Sequence, residues 1–229
     1  MTKKPLKFIA VIPARQGSKG LPHKNIMKLE GLPLMAHSIK SALKCEIIVD
    51  VFVSSDSEEY LRIGRNYGAK GHLRSKYAAS DSASLKDVMT EFCSFVKKEK
   101  IYADAIIVLY PTYPLRNSKD LNDILETYEQ LELGRSLIGL LEPKTHPYLI
   151  YRRDKMGQIE QWTEYDSFKY YRRQDYPSAY ELSHWACIVP VDGVEKFDSQ
   201  MLNKDTFGYL IKKEEMVNID TIEDFKYAE

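Results

Sequence analysis

The 229-residue chain has only three cysteines, Cys45, Cys93 and Cys187, and no two of them stand at the spacing that a zinc knuckle or a disulfide framework needs. The expected setting is therefore reduced and cytoplasmic. Neither sign of charge is in excess, since 33 Lys and Arg meet 33 Asp and Glu. The weak long-range field argues against a nucleic-acid backbone as partner. Long apolar runs are missing too: Met1 to Lys7 is basic, but too few apolar residues follow it for a secretory leader or a membrane span. There is no internal repeat and no low-complexity tract. A chain of this length can bury one full core, so one α/β domain with a small excursion is the expected organisation.

What is present is concentrated near the start. Phe8 to Ile12 is an unbroken apolar run stopped by Pro13, the pattern of a strand buried on both faces of a parallel sheet. A loop follows in which Gly17, Ser18 and Gly20 lie among the cations Arg15, Lys19 and Lys24. Glycines let a backbone approach an oxyanion, cations add charge-assisted contacts, and the carboxyl ends of parallel strands are where such sheets bind ligands. The loop suits a polyphosphate. It is not the nucleoside-triphosphatase loop, because Lys19 precedes Gly20 and no Ser or Thr follows in register, and it is not the three-glycine dinucleotide fingerprint. The competing reading is an ordinary basic turn.

The full string I-P-A-R-Q-G-S-K-G-L-P-H-K-N, Ile12 to Asn25, closely resembles the signature of the acylneuraminate cytidylyltransferase family. The resemblance continues in order through Ser54-Ser55-Asp56, Leu73-Arg74, Ala79 to Ser84, Pro111 to Arg116, His146-Pro147, Arg172-Arg173-Gln174 and Asn218 to Thr221. It implies a Rossmann-like, nucleotide-diphospho-sugar transferase fold (GT-A-like): a mostly parallel sheet with helices on both faces. Residues 1–229 would form one nucleotidyltransferase domain, with 143–182 as a strand-rich, Tyr- and Arg-rich excursion for dimerisation and acceptor binding.

The pattern along the chain predicts strands at Phe8–Ile12, Ile47–Ser54, Ala69–Leu73, a central Asp104–Leu109, Trp185–Pro190 and Met216–Ile219. Helices are expected from Pro33 to Leu43, from a Ser57 cap to about Tyr67, over Leu85–Lys98, from a Ser118 cap to about Leu131, and over Thr221–Ala228. Seven tyrosines between Tyr148 and Tyr180, with Arg152, Arg153, Arg172 and Arg173, could stack on nucleic acid. The balanced charge argues against that; Tyr and Arg are enriched at protein interfaces, and the resemblance implies a homodimer contact here.

The resemblance implies attack of a sugar's anomeric hydroxyl on the α-phosphorus of CTP, with release of pyrophosphate. Arg15, Gly17 and Ser18 would hold the outer phosphates and Lys24 the α-phosphate. Asn25, Arg74, Ala83 and Ser84 match the cytosine contacts, although Asn25 could be only a helix cap. Mg²⁺ is implied at a D-x-D pair whose positions are here Asn218 and Asp220, so Asp220 is the main metal candidate and a catalytic one beside Lys24 and Arg15. Asp220 could also merely cap the last helix.

The acceptor half departs from the pattern. Arg173 and Gln174 match a block that meets the acid sugar, but Tyr110 stands where Gln is common, Glu181 where a base is common, and Ser183-His184-Trp185-Ala186 replaces the usual strand. His184 and Trp185 could line the pocket or simply pack. N-acetylneuraminate, legionaminic- or pseudaminic-type sugars and octulosonates all stay open as acceptors. A non-catalytic CTP-binding homologue and an enzyme using UTP or a sugar 1-phosphate are the other readings.

Overall fold

The structure is a computed structural model and describes residues 5–17, 20–131, 134–212 and 216–229. Its strands are β1 (Phe8–Pro13), β2 (Lys28–Leu29), β3 (Leu32–Pro33), β4 (Ile48–Ser55), β5 (Lys70–Leu73), β6 (Ala105–Val108), β7 (Leu137–Leu141), β8 (Tyr151–Arg153), β9 (Ile159–Gln161), β10 (Glu181–Pro190) and β11 (Phe207–Leu210). The helices are α1 (Leu34–Leu43), α2 (Glu58–Asn66), α3 (Leu85–Lys98), α4 (Ser118–Glu129) and α5 (Ile222–Ala228). Seven strands form the central sheet in the order β11-β7-β10-β6-β1-β4-β5. Only β10 runs against its neighbours, β6 and β7.

Alternation along the strands divides the core. Phe8, Ala10 and Ile12 of β1 and Ile107 of β6 face one side, where they pack on α1, α2 and α4. Ile9 and Val11, with Ile106 and Val108, face the other and pack on Met89, Phe92 and Val96 of α3. Covering both faces requires strands apolar at every position, which is why β1 and β6 read as continuous runs.

Helix starts follow capping chemistry. Ser57 accepts from the Tyr60 amide, and Ser84 with Asp87 and Thr221 with Asp224 form complete capping boxes at α3 and α5. The α4 cap is Asn117 rather than Ser118: its side chain accepts from the Lys119 and Asp120 amides, which leaves Ser118 as the first helical residue. Pro33 pairs in the short β2–β3 hairpin, so α1 begins at Leu34, and Leu43 at its end is exposed.

Two further expectations change. Met216–Ile219 is not a strand; the sheet edge is taken by β11, parallel to β7, while Ile219 drops into a small cluster with Leu29, Leu34 and Phe225. Residues 143–182 are not strand-rich either. Before β10 begins at Glu181 they hold only the three-residue strands β8 and β9, and are organised by ring stacking, with Tyr148 parallel to Tyr165 at 4.1 Å and His146 4.7 Å from Tyr176.

Strand β10 loses register with β7 between Ser183 and Cys187, so residues 184–186 bulge from the ladder. The bulge sends His184 to one side and Trp185 into the core. Arg116, 2% exposed, fills the gap by donating to the Trp185 carbonyl.

Candidate active site

Strand β1 has β4 on one side and β6 on the other, and the chain passes from the β4–β5 side across to β6 through α3. Such a reversal leaves a crevice at the carboxyl ends of β1 and β6. A cleft of about 400 Å³ lies there, walled by the loop after β1, the 78–85 lip after β5, the Tyr110–Tyr113 turn after β6, His184 of β10 and the 218–220 segment.

The β1 loop is pinned by its neighbours. The Gln16 amide donates to Asp56 Oδ1 at 2.9 Å, and Asn25 Nδ2 donates to the Arg15 carbonyl at 3.0 Å. Gly20 passes so close to the last segment that a Cβ there would sit 3.0 Å from the Asp220 carbonyl oxygen. That segment is tied down in turn by the Ile219 amide, which donates to the Thr112 carbonyl. Gly17 lies at the open side of the loop, with nothing within 4 Å of a Cβ position, and Ser18 falls outside the described residues.

Two cations of the cleft are paired with acids. Lys24 Nζ lies 2.8 Å from Asp220 Oδ1, and Arg15 Nη1 lies 2.8 Å from Asp81 Oδ1 and also donates to the Ser80 carbonyl. Lys24 keeps 10% of its side chain exposed and Arg15 33%, so both can still reach a ligand in the opening. Anionic phosphates could replace the two carboxylates as partners.

Asn218 Nδ2 donates to Asp220 Oδ2 at 2.6 Å, which turns the amide oxygen away from the carboxylate. Among the described residues no cluster of three or more His, Cys, Asp or Glu could hold a metal. The Asp220 carboxylate suits a hard cation that takes its other ligands from phosphate and water, and the Asn218 amide oxygen would join it once the amide turns over.

Arg74 lines the cleft with its Nε committed to Ser54 Oγ, and its Nη2 is buried without a hydrogen-bond partner. Loss of water pushes its pKa down to about 10, so it stays a cation at neutral pH. Ser84, also on the wall, spends its amide and hydroxyl on Asp87. Beside it, Ala83 donates its amide to the Ser80 carbonyl. Tyr110 and His184 face each other at 5.4 Å across the remaining wall, and His184 Nδ1 is buried without a partner. Burial holds both in their neutral forms, the tyrosine by raising its pKa and the histidine by lowering it.

Three expected acceptor residues lie elsewhere. Trp185 is fully buried, because the β10 bulge turns it away from His184 and into the core under Arg116; it is a core residue, not a pocket residue. Arg173 lines a second hollow of about 380 Å³ on the excursion, with Lys144, His146 and Tyr176, and Gln174 beside it is exposed. Within one chain neither reaches the Lys24 cleft. The sequence reading missed Asp81, whose pairing with Arg15 joins the loop to the lip, and the Ser54–His72 pair behind Arg74. No spacing rule links those positions: Ser54 and His72 meet across the parallel β4–β5 ladder, and Arg15 and Asp81 meet between two loops.

His72 carries a stability signature. Burial outweighs the nearby Glu91 carboxylate and lowers its pKa to about 4. In the unfolded chain it titrates near ~6.5, so between those values the unfolded state binds the extra proton and the fold is penalised as pH falls. Stability should drop by about 3 kcal/mol from pH 7 to pH 4 on this account. Urea titrations at three pH values, compared with His72→Phe, would isolate that share; parallel pH curves for the two proteins would contradict it.

The model of the cytidylyltransferase family matches residues 9–184. An N-acylneuraminate cytidylyltransferase of Streptococcus agalactiae serotype V is 30% identical over 222 residues, covering 96% of this chain and 52% of that protein. A pseudaminic acid cytidylyltransferase of Campylobacter jejuni is 30% identical over 226 residues, covering 97% and 95%. The chain thus spans about half the length of the first of these relatives and nearly all of the second. Among solved structures, a CMP:2-keto-3-deoxy-manno-octonic acid synthetase complexed with CTP superposes with a TM-score of 0.67 at 15% identity, over 96% of each chain. That likeness supports the Rossmann-like architecture. A match over most of the chain, carrying the cation-lined cleft at the β1–β6 crossing, makes this protein a member of the cytidylyltransferase family.

Proposed function

We propose that the protein transfers the cytidylyl group of CTP to the anomeric hydroxyl of an acidic, nonulosonic-type sugar. The anomeric oxygen forms a bond to the α-phosphorus, the bond to the bridging oxygen breaks, pyrophosphate leaves and the hydroxyl proton passes to solvent. The observation that carries this reading is the meeting of Lys24 and Arg15 with Asp220 and Asn218 at one cleft, beside a cationic Arg74 with an unpartnered N–H.

Phosphoryl-type transfer needs positioning and charge neutralisation more than covalent catalysis. Lys24 would hold the α-phosphate, and Arg15, with the Gly17–Ser18 backbone, the outer phosphates. Asn25, Arg74 and the Ala83–Ser84 turn would select the cytosine. Asp220, assisted by Asn218, would hold Mg²⁺, which when bound supplies further neutralisation of phosphate charge. Tyr110 and His184 would meet the acceptor from the far wall. Arg173 and Gln174 would serve it only from the excursion of a second copy. A homodimer through residues 143–182 is supported by the exposure of Ile159, Trp162, Phe168 and Tyr171 there.

The test is pyrophosphate release from CTP and Mg²⁺ with N-acetylneuraminate, legionaminic acid, pseudaminic acid, an octulosonate or no acceptor, on material whose mass is set by sedimentation. Release with one acid sugar, by a dimer, is expected. CTP binding without release across the panel would instead describe a non-catalytic binder, and preference for UTP would remove the cytosine assignments.

A further inference from the structure

Behind Arg74 runs a buried polar chain that the reaction above does not use. His72 of β5 is 4% exposed, and its ring packs against Phe92 and Phe95 of α3 at 5.2 and 4.8 Å. Its Nδ1 lies 2.9 Å from Ser54 Oγ of β4, and the same oxygen accepts from Arg74 Nε at 2.9 Å. On the far side of the ring, Nε2 faces Glu91 Oε1 of α3 at 3.8 Å. Glu91 also accepts from the amide and hydroxyl of Ser75, the residue after Arg74.

The direction of this chain follows from what each group can do. Arginine only donates, so Ser54 Oγ is the acceptor of the Arg74 bond. Ser54 is fully buried, and among the described residues His72 Nδ1 is the acceptor to which we assign its proton. The ring proton then sits on Nε2, toward Glu91. A phenylalanine at position 72 would pack as well against Phe92 and Phe95, so packing alone does not account for an imidazole there.

We propose that His72 is a positioning residue for nucleotide recognition: through Ser54 it locks the Arg74 guanidinium so that its unpartnered Nη2 points to the base side of the nucleotide. This rests on the reading of the cleft as a nucleotide site. Specificity for the nucleoside half is then set partly from outside the cleft, by a side chain that never touches ligand.

The experiment titrates wild-type protein, four single variants and the His72→Phe/Ser54→Ala double variant with CTP, CMP and inorganic tripolyphosphate by calorimetry. His72→Phe keeps the ring packing and removes the bond; His72→Asn returns a polar atom near the Nδ1 position; Ser54→Ala cuts the link; Arg74→Ala removes the presented group. His72→Phe and Ser54→Ala should each weaken CTP and CMP about tenfold and leave tripolyphosphate unchanged. The double variant should lose no more than either alone, and His72→Asn should recover most of the loss. Wild-type CTP affinity in His72→Phe, or equal losses for CTP and tripolyphosphate, overturns the proposal. If Arg74→Ala loses CTP and His72→Phe does not, the nucleotide reading stands and this inference alone falls. If wild-type protein binds no CTP, both fall.

Discussion

Replacing Lys24 by alanine should lower cytidylyl transfer about a thousandfold while leaving the fold in place. The ammonium lies 2.8 Å from Asp220 Oδ1, at the point where the β1 loop meets the 218–220 segment. A transferring phosphoryl group develops charge that must be met by fixed cations, and a positioned lysine meets it without reorganisation. Stability should change little, because the Asp220 carboxylate is 59% exposed and can be rehydrated once its partner is gone. Lys24→Arg should restore only part of the rate, since a planar fork cannot occupy the place of a compact ammonium. Pyrophosphate release together with thermal melting checks both halves of this expectation. Undiminished turnover in Lys24→Ala would remove the residue from the α-phosphate.

The largest loss of stability should come from Arg116→Ala, at about 4 kcal/mol. Arg116 donates to the carbonyls of Trp185 and Tyr110 and, at 2.7 Å, to Ser38 Oγ, and its guanidinium lies 5.8 Å from the rings of Tyr113 and Trp185. The Trp185 carbonyl belongs to the bulge of β10, where the ladder with β7 is interrupted, so alanine leaves it unbonded as well as opening a cavity. Burial lowers the arginine's pKa to about 9, which keeps it charged at neutral pH; dipoles and ring faces replace the water it has lost. Arg116→Met, which fills the space without donating, should cost roughly half as much. Guanidinium titrations would measure both. An unchanged midpoint for Arg116→Ala would mean that the sheet holds the bulge unaided.

Much of the fold can be read in the chain because it depends on local patterns. The apolar runs of β1, β4 and β6, and the cap at Ser57, are short-range signals, and the elements follow them closely. The strand at Phe207–Leu210 gives a weak signal because it is an exposed edge with a glycine inside, whereas the apolar Met216–Ile219 packs without pairing. At the cleft, Arg15, Lys24, Asn25, Arg74, His184 and Asp220, which the family resemblance singles out, line one opening. What they could not convey was orientation. His184 and Trp185 are adjacent letters, and only the three-dimensional bulge decides that one meets the cleft and the other the core. The Glu91–His72–Ser54–Arg74 chain is invisible for the same reason, since it is assembled from two strands and a helix.

The ion pair between Lys24 and Asp220 joins residues 196 positions apart. A ribosome delivers the first of them long before the second, so a nascent chain can build the β1 loop and the α1 layer while lacking the carboxylate that closes the cleft. The opening is therefore finished only when Ile219, which follows every strand of the sheet in chain order, seats against Leu29, Leu34 and Phe225. Closing of the cleft and completion of the small third cluster depend on the same segment.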